Sequence, residues 1–145
     1  MKKFNFRLEP VLGYRKILEE QAALRQVKAQ EEYRQNHDVL CETRDRLACA
    51  VMDNQVLSPF DMFNRLAYCD YMAGEVKKKE TALNLSRRKL EKCHKNLVQA
   101  VRDRTVMDKL REKKLSHYNH AATTAEQKET DEVAGRQYNK NRKSS

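Results

Sequence analysis

Four histidines and four cysteines are the residues of this chain best suited to chemistry, and their spacing decides what they can do. His117 and His120 stand three apart, so on a helix they share a face and form half of a metal site. No third ligand of the right kind lies near them, and polar surface histidines are the plainer reading. Cys93 and His94 are adjacent, which on a helix points them in different directions. Cys41, Cys49, Cys69 and Cys93 form no CxxC pair and no disulfide-framework spacing. The chain has no glycine-rich phosphate loop, no GxSxG and no HExxH. No catalytic residue, metal site or cofactor is therefore expected, and the chain is not expected to be an enzyme.

Whatever the chain does must come from the elements that carry these residues. Of 145 residues, 39% are hydrophobic and 35% charged, with three glycines, two prolines and no tryptophan. That is the composition of long helices, and it lacks the wide apolar faces of a globule. A narrow two-helix seam satisfies it. No run approaches the roughly 18 apolar residues of a membrane span. The start, Met1 to Arg7, is basic without the apolar stretch of a signal peptide. A cytosolic chain with free thiols is the expectation.

The prolines mark where helices begin. Pro10 opens a segment without a breaker until Ser58. Ser58, Pro59 and Asp61 form a capping signature: serine accepts the first free N–H groups, proline fits the first turn, and the acid complements the helix dipole. The expected architecture is all-α, an antiparallel two-helix coiled-coil hairpin forming a single domain over residues 1–145. Helix one covers about 9–55, a turn 56–58, helix two about 59–138, and a basic tail 139–145. Gly74 is expected to weaken the second helix locally, and Gly135 to end or fray it.

Periodicity supplies the seam. In the second helix Met62, Cys69, Val76, Leu83, Leu90 and Leu97 recur every seven residues, and the pattern breaks at Arg104. Met107, Leu115, Tyr118, Ala122 and Ala125 resume it after a stutter. In the first helix Leu18, Ala29, Leu40 and Val51 recur every eleven residues, flanked by Tyr14, Ala22, Tyr33 and Leu47. A fold at residue 57 or 58 sets Leu18 opposite Leu97 and Pro10 opposite about residue 105. Beyond that point the second helix has no partner within the chain, an overhang of roughly 45–50 Å. Its apolar residues then need a protein partner.

Charge is uneven. The segment from Lys77 to Lys114 holds cations enough over acids to account for the whole net charge of +9. A basic stripe suits nucleic acid, an acidic membrane, an acidic protein or simply solvent. Nucleic acid is not expected, because the cations circle the helix and no base-stacking platform accompanies them. Phe60, Phe63, Leu66, Tyr68, Tyr71 and Met72 crowd the region after the turn. They either close the hairpin tip or form a docking patch.

The stretch Phe4-Asn5-Phe6-Arg7-Leu8-Glu9-Pro10-Val11-Leu12, with Arg15 and Glu19-Glu20, resembles the start of FliJ proteins. Glu126 to Ala134 resembles that family's C-terminal signature, with Thr130 where a leucine is common and Asp131-Glu132 as the matching part. The resemblance implies a soluble component of the bacterial flagellar type III export apparatus, similar to the coiled coil of the rotary γ subunit of F-type ATPases. It implies a central stalk of the hexameric export ATPase FliI, linked to the export gate protein FlhA and to export chaperones. No small-molecule substrate is implied, and membrane association is only indirect, at the cytoplasmic face of the inner membrane. Carried onto this sequence, Phe4, Phe6, Leu8, Glu129, Asp131 and Glu132 face the ATPase. Tyr68, Tyr71, Met72 and Val76 face the gate. A stalk of a virulence-type secretion system and a basic nucleic-acid-associated coiled coil are the alternatives.

Overall fold

The computed structural model describes residues 3–53 and 58–143. Two helices make up the described chain: α1, Glu9–Met52, and α2, Pro59–Lys143. The fold is an all-α two-helix hairpin with the longer helix second. It divides into two compact units: Met1–Ile17 with Val101–Ser145, and Leu18–Ala100.

Both helix starts follow from the residues that precede them. At α1 the Glu9 amide donates to the Phe6 carbonyl (3.0 Å) and the Leu12 amide to the Leu8 carbonyl (3.0 Å), with Pro10 in the first turn, where its missing N–H costs nothing. At α2 the Asp61 amide donates to Ser58 Oγ (3.2 Å), and the Ser58 hydroxyl donates to Asp61 Oδ2 (2.6 Å). The capping signature is thus formed as its sequence implies.

The ends differ from expectation. α1 stops at Met52, not at 55, and the expected turn falls partly on Val56 and Leu57, outside the described residues. α2 runs through Gly135 to Lys143, so 139–143 is helix and not a tail. Nothing lies within 4 Å of where a Cβ on Gly135 would stand, and lysine and arginine are good helix formers.

In the unit Leu18–Ala100 the buried side chains are Ala22, Ala29, Leu40, Met72 and Ser86. Between them the partly covered positions on α1 include Gln26, Tyr33, Asn36, Thr43 and Leu47. These alternate by threes and fours, a heptad and not the eleven-residue repeat expected. Gln26, Asn36 and Thr43 occupy seam positions as polar residues, which is why an apolar count misses the period. Val51 and Tyr14, assigned to the seam or its flank by the eleven-residue reading, are exposed. On α2 the partly covered Cys69, Val76, Leu83, Leu90 and Leu97 hold the expected heptad, whereas Met62 is exposed. Small side chains at three buried positions, Ala22, Ala29 and Ser86, permit a close approach of the helices. Arg44 pairs with Glu80 (2.5 Å) and Lys89 with Glu32, fixing α2 antiparallel to α1.

In the other unit Leu12 is fully buried and Phe6 nearly so. Arg15 pairs with Asp103 (2.8 Å) and Glu9 with Arg111 (3.2 Å). Pro10 therefore lies near residue 110, not 105. Six residues separate Met52 from Pro59 where three were expected, and a longer link leaves register to the seam. Arg104, where the apolar heptad breaks, is half-buried in an ion pair with Asp108 (2.5 Å), so covering continues where hydrophobicity stops.

Candidate protein-interaction site

Three surfaces could engage a partner. The first is built by the segment before α1. Residues 3–8 lie against α2, with the Phe4 ring 5.5 Å from that of Tyr118. Phe4, Phe6, Leu8, Leu110 and Tyr118, with Lys3, Asn5, Arg7 and Lys114, line a groove of about 720 Å³. This covers part of what was expected to be bare helix, including Tyr118. Met107, Ala122 and Ala125 are also half-covered.

The second surface is the end of α2. Every residue from 126 to 140 is exposed, Val133 and Tyr138 among them. This bare stretch, residues 126–140, is roughly 20–25 Å long, shorter than the expected overhang because the N-terminal segment and the shifted register cover what precedes it. Glu129, Asp131 and Glu132 all lie on it, with Glu132 3.6 Å from Arg136.

The third surface is the end of the unit Leu18–Ala100 nearest Ser58. Val51, Met52, Phe60, Phe63, Leu66, Tyr68 and Tyr71 remain exposed there, Phe60 at 73% and Tyr71 at 64%. The aromatic members of this cluster are side chains of the kind that anchor interfaces. Met72 and Val76 are different: Met72 is buried in the seam and Val76 half-covered. Phe6, on the groove, is likewise a core residue.

Sequence reasoning missed Arg65. α1 has no cation in its last turn. Arg65 of α2 supplies one, its Nε–H donating to the Ala50 carbonyl (2.7 Å) and Nη2 to the Val51 carbonyl (3.5 Å). It satisfies carbonyls left open at a helix end and opposes the dipole's negative pole. Its signal, a lone arginine among apolar residues near the start of α2, is visible only once α1 is known to end opposite it.

Charge is partly cancelled within the chain. In the basic stretch of α2, Lys78 pairs with Glu75, Arg87 with Glu91 and Lys89 with Glu32. The Lys78 bond holds the Glu75 carboxyl below its usual range, and the Glu75 and Glu32 bonds raise the Lys78 and Lys89 ammonium groups. On α1, hydrogen bonds from Arg34 and Gln35 lower Glu31 in the same way. His120 Nδ1 lies 3.3 Å from the Thr124 hydroxyl, and the exposed Cys41 thiol lies 3.8 Å from His37 Nε2. Among the described residues no group of three or more His, Cys, Asp or Glu side chains is placed to hold a metal. None of the described helices is long and apolar enough to cross a membrane.

The described residues thus form an all-α two-helix hairpin whose exposed surface includes Phe60, Phe63, Tyr68 and Tyr71. The family model of the flagellar FliJ protein matches residues 4–143. The chain belongs to the FliJ family, whose members are not enzymes, are cytoplasmic or membrane-peripheral, and interact with components of the flagellar export apparatus. A general role as an export stalk follows from that membership and from the coiled-coil fold. No curated protein and no solved structure gives a significant match.

Proposed function

We propose that the chain acts as one coiled-coil element, the central stalk of a hexameric export ATPase ring, linking that ring to the export gate and to export chaperones. The bare α2 end over residues 126–140 carries this reading. A single polar helix with isolated apolar side chains at Val133 and Tyr138 gains little alone and much inside a ring that surrounds it. On this reading Phe4, Phe6, Leu8, Glu129, Asp131 and Glu132 serve the ATPase end, with Phe6 acting from the core by holding the segment around it. Tyr68 and Tyr71 meet the gate directly, and Met72 and Val76 support them from the seam. Flagellar assembly, and with it motility and chemotaxis, then depends on the chain, which reaches the membrane only through its partners.

The test is reconstitution with the export ATPase of the same flagellar system. Co-elution and a change in ATP turnover are expected, both lost when the chain is truncated after Ala125. An ATPase that neither co-elutes nor changes its rate with the full chain present would remove the stalk reading.

A further inference from the structure

We propose that the groove between residues 3–8 and α2 is a peptide-docking site for an acidic segment of a protein partner that carries an aromatic or aliphatic anchor. The inference rests on the stalk reading only for where such a segment would be met; the chemistry comes from the groove itself.

Three observations point the same way. The floor is apolar, formed by Phe4, Leu8, Leu110 and Tyr118, and a groove of about 720 Å³ admits large side chains. Its rim is cationic. Lys3, Arg7 and Lys114 are exposed and have no ion-pair partner among the described residues, and no carboxylate is among the residues that line the groove. Cations left unmatched around an apolar floor favour an acidic occupant with an apolar centre.

The third observation separates a peptide from a small anionic amphiphile. Lys3, Phe4 and Asn5 are not helical, and among the described residues their backbone groups make no backbone hydrogen bond. Free N–H and C=O groups beside a groove can pair with an extended peptide backbone, while a fatty-acid chain has nothing to offer them. Nucleic acid fits poorly, because the aromatic rings here are partly covered by each other and by α2.

The full chain is titrated into fluorescein-labelled synthetic peptides with Asp and Glu flanking a Phe-Leu core, and anisotropy is read at low salt. Saturable binding in the micromolar range is expected. Lysine in place of the acids, or Ala-Ala in place of the core, should each weaken it about tenfold or more, a factor worth about 1.4 kcal/mol. Arg7→Glu and Lys114→Glu should each weaken it similarly, with helicity checked by circular dichroism. Lys114→Gln serves where a reversal fails to fold, and a benzophenone on the peptide core should crosslink to residues 3–8 or 110–118. Absence of saturable binding, indifference to the acids, or crosslinks confined elsewhere overturns the proposal. So does laurate binding the groove when no peptide does. ATPase co-elution that survives in Lys114→Glu while peptide binding is lost leaves the stalk reading standing and assigns the groove to another partner. Peptide binding without ATPase co-elution does the reverse.

Discussion

The two units are held by different means. The unit formed by Met1–Ile17 and Val101–Ser145 concentrates burial in a few large side chains, with Leu12 wholly enclosed and Phe6 beside the Phe4–Tyr118 pair. The unit Leu18–Ala100 spreads it thinly over Ala22, Ala29, Leu40, Met72 and Ser86, with polar Gln26 and Asn36 among them. The first relies on large side chains, whereas three of the five buried positions of the second are small. A substitution should therefore fail by cavity formation in the first and, at the small positions, by overpacking in the second.

Thermal melting of purified variants tests that contrast. The largest effect is expected from Leu12→Ala, a loss of about 2–5 kcal/mol, seen as a lower Tm and faster amide exchange in residues 9–17 and 101–118. A loss under about 1 kcal/mol there would mean the N-terminal unit is not anchored by volume. Ala29→Leu should cost about 1–3 kcal/mol by forcing the helices apart, although leucine is the better seam residue by hydrophobicity alone. A rise in Tm would show that the seam at Ala29 has room and is not set by close approach.

Smaller changes should go the other way. Gln26 Oε1 is buried without a hydrogen-bond partner among the described residues, so Gln26→Leu should stabilise by about 1 kcal/mol through removal of an unmet acceptor. Unchanged stability would place a partner on that oxygen in solution. Gly74 is an exposed mid-helix residue with nothing within 4 Å of where a Cβ would stand, so Gly74→Ala should stabilise by about 0.5–1 kcal/mol, read as a higher Tm.

The smallest effect is that of pH on exposed pairs. Glu31 and Glu75 have carboxyl groups held below their ordinary value of 4.5, so their contribution is present above that value and lost as pH falls through the lowered one. Lys78 and Lys89 are raised above 10.5, so theirs is present below 10.5 and lost as pH climbs past the raised values. The share of Tm that these pairs carry should be constant between these limits and decline beyond each. A Glu31→Gln, Glu75→Gln double variant should shrink the acid-side decline, and an unaltered decline would assign it to other carboxylates.

Much of this fold was legible in the order of residues. Pro10 and the Ser58, Pro59, Asp61 signature located both helix starts, because capping is a local hydrogen-bond requirement. Cys69 through Leu97 revealed the seam of α2, since leucine and valine at seven-residue spacing leave one apolar face. The seam of α1 is not legible in the same way, because Gln26, Asn36 and Thr43 fill its heptad positions and polarity at a seam is invisible to a hydrophobic count. Candidate site residues fared unevenly for a similar reason. Tyr71 and Phe63 are exposed, while Met72 and Phe6, of like chemistry, are core, because one helical step decides which side of α2 faces the partner helix and the fold of residues 3–8 decides the place of Phe6.

From residues alone came the two helices, their antiparallel fold, the absence of catalytic motifs and the family, all of which depend on spacing within single segments. Only the tertiary structure decided the register that sets Glu9 against Arg111, the return of Phe4 onto Tyr118, and the reach of Arg65 to the end of α1. Each of those joins residues well separated along the chain, where many pairings satisfy the same pattern of apolar and polar residues. Side-chain volume and charge across the seam select among them, and those quantities exist only once both helices are in place.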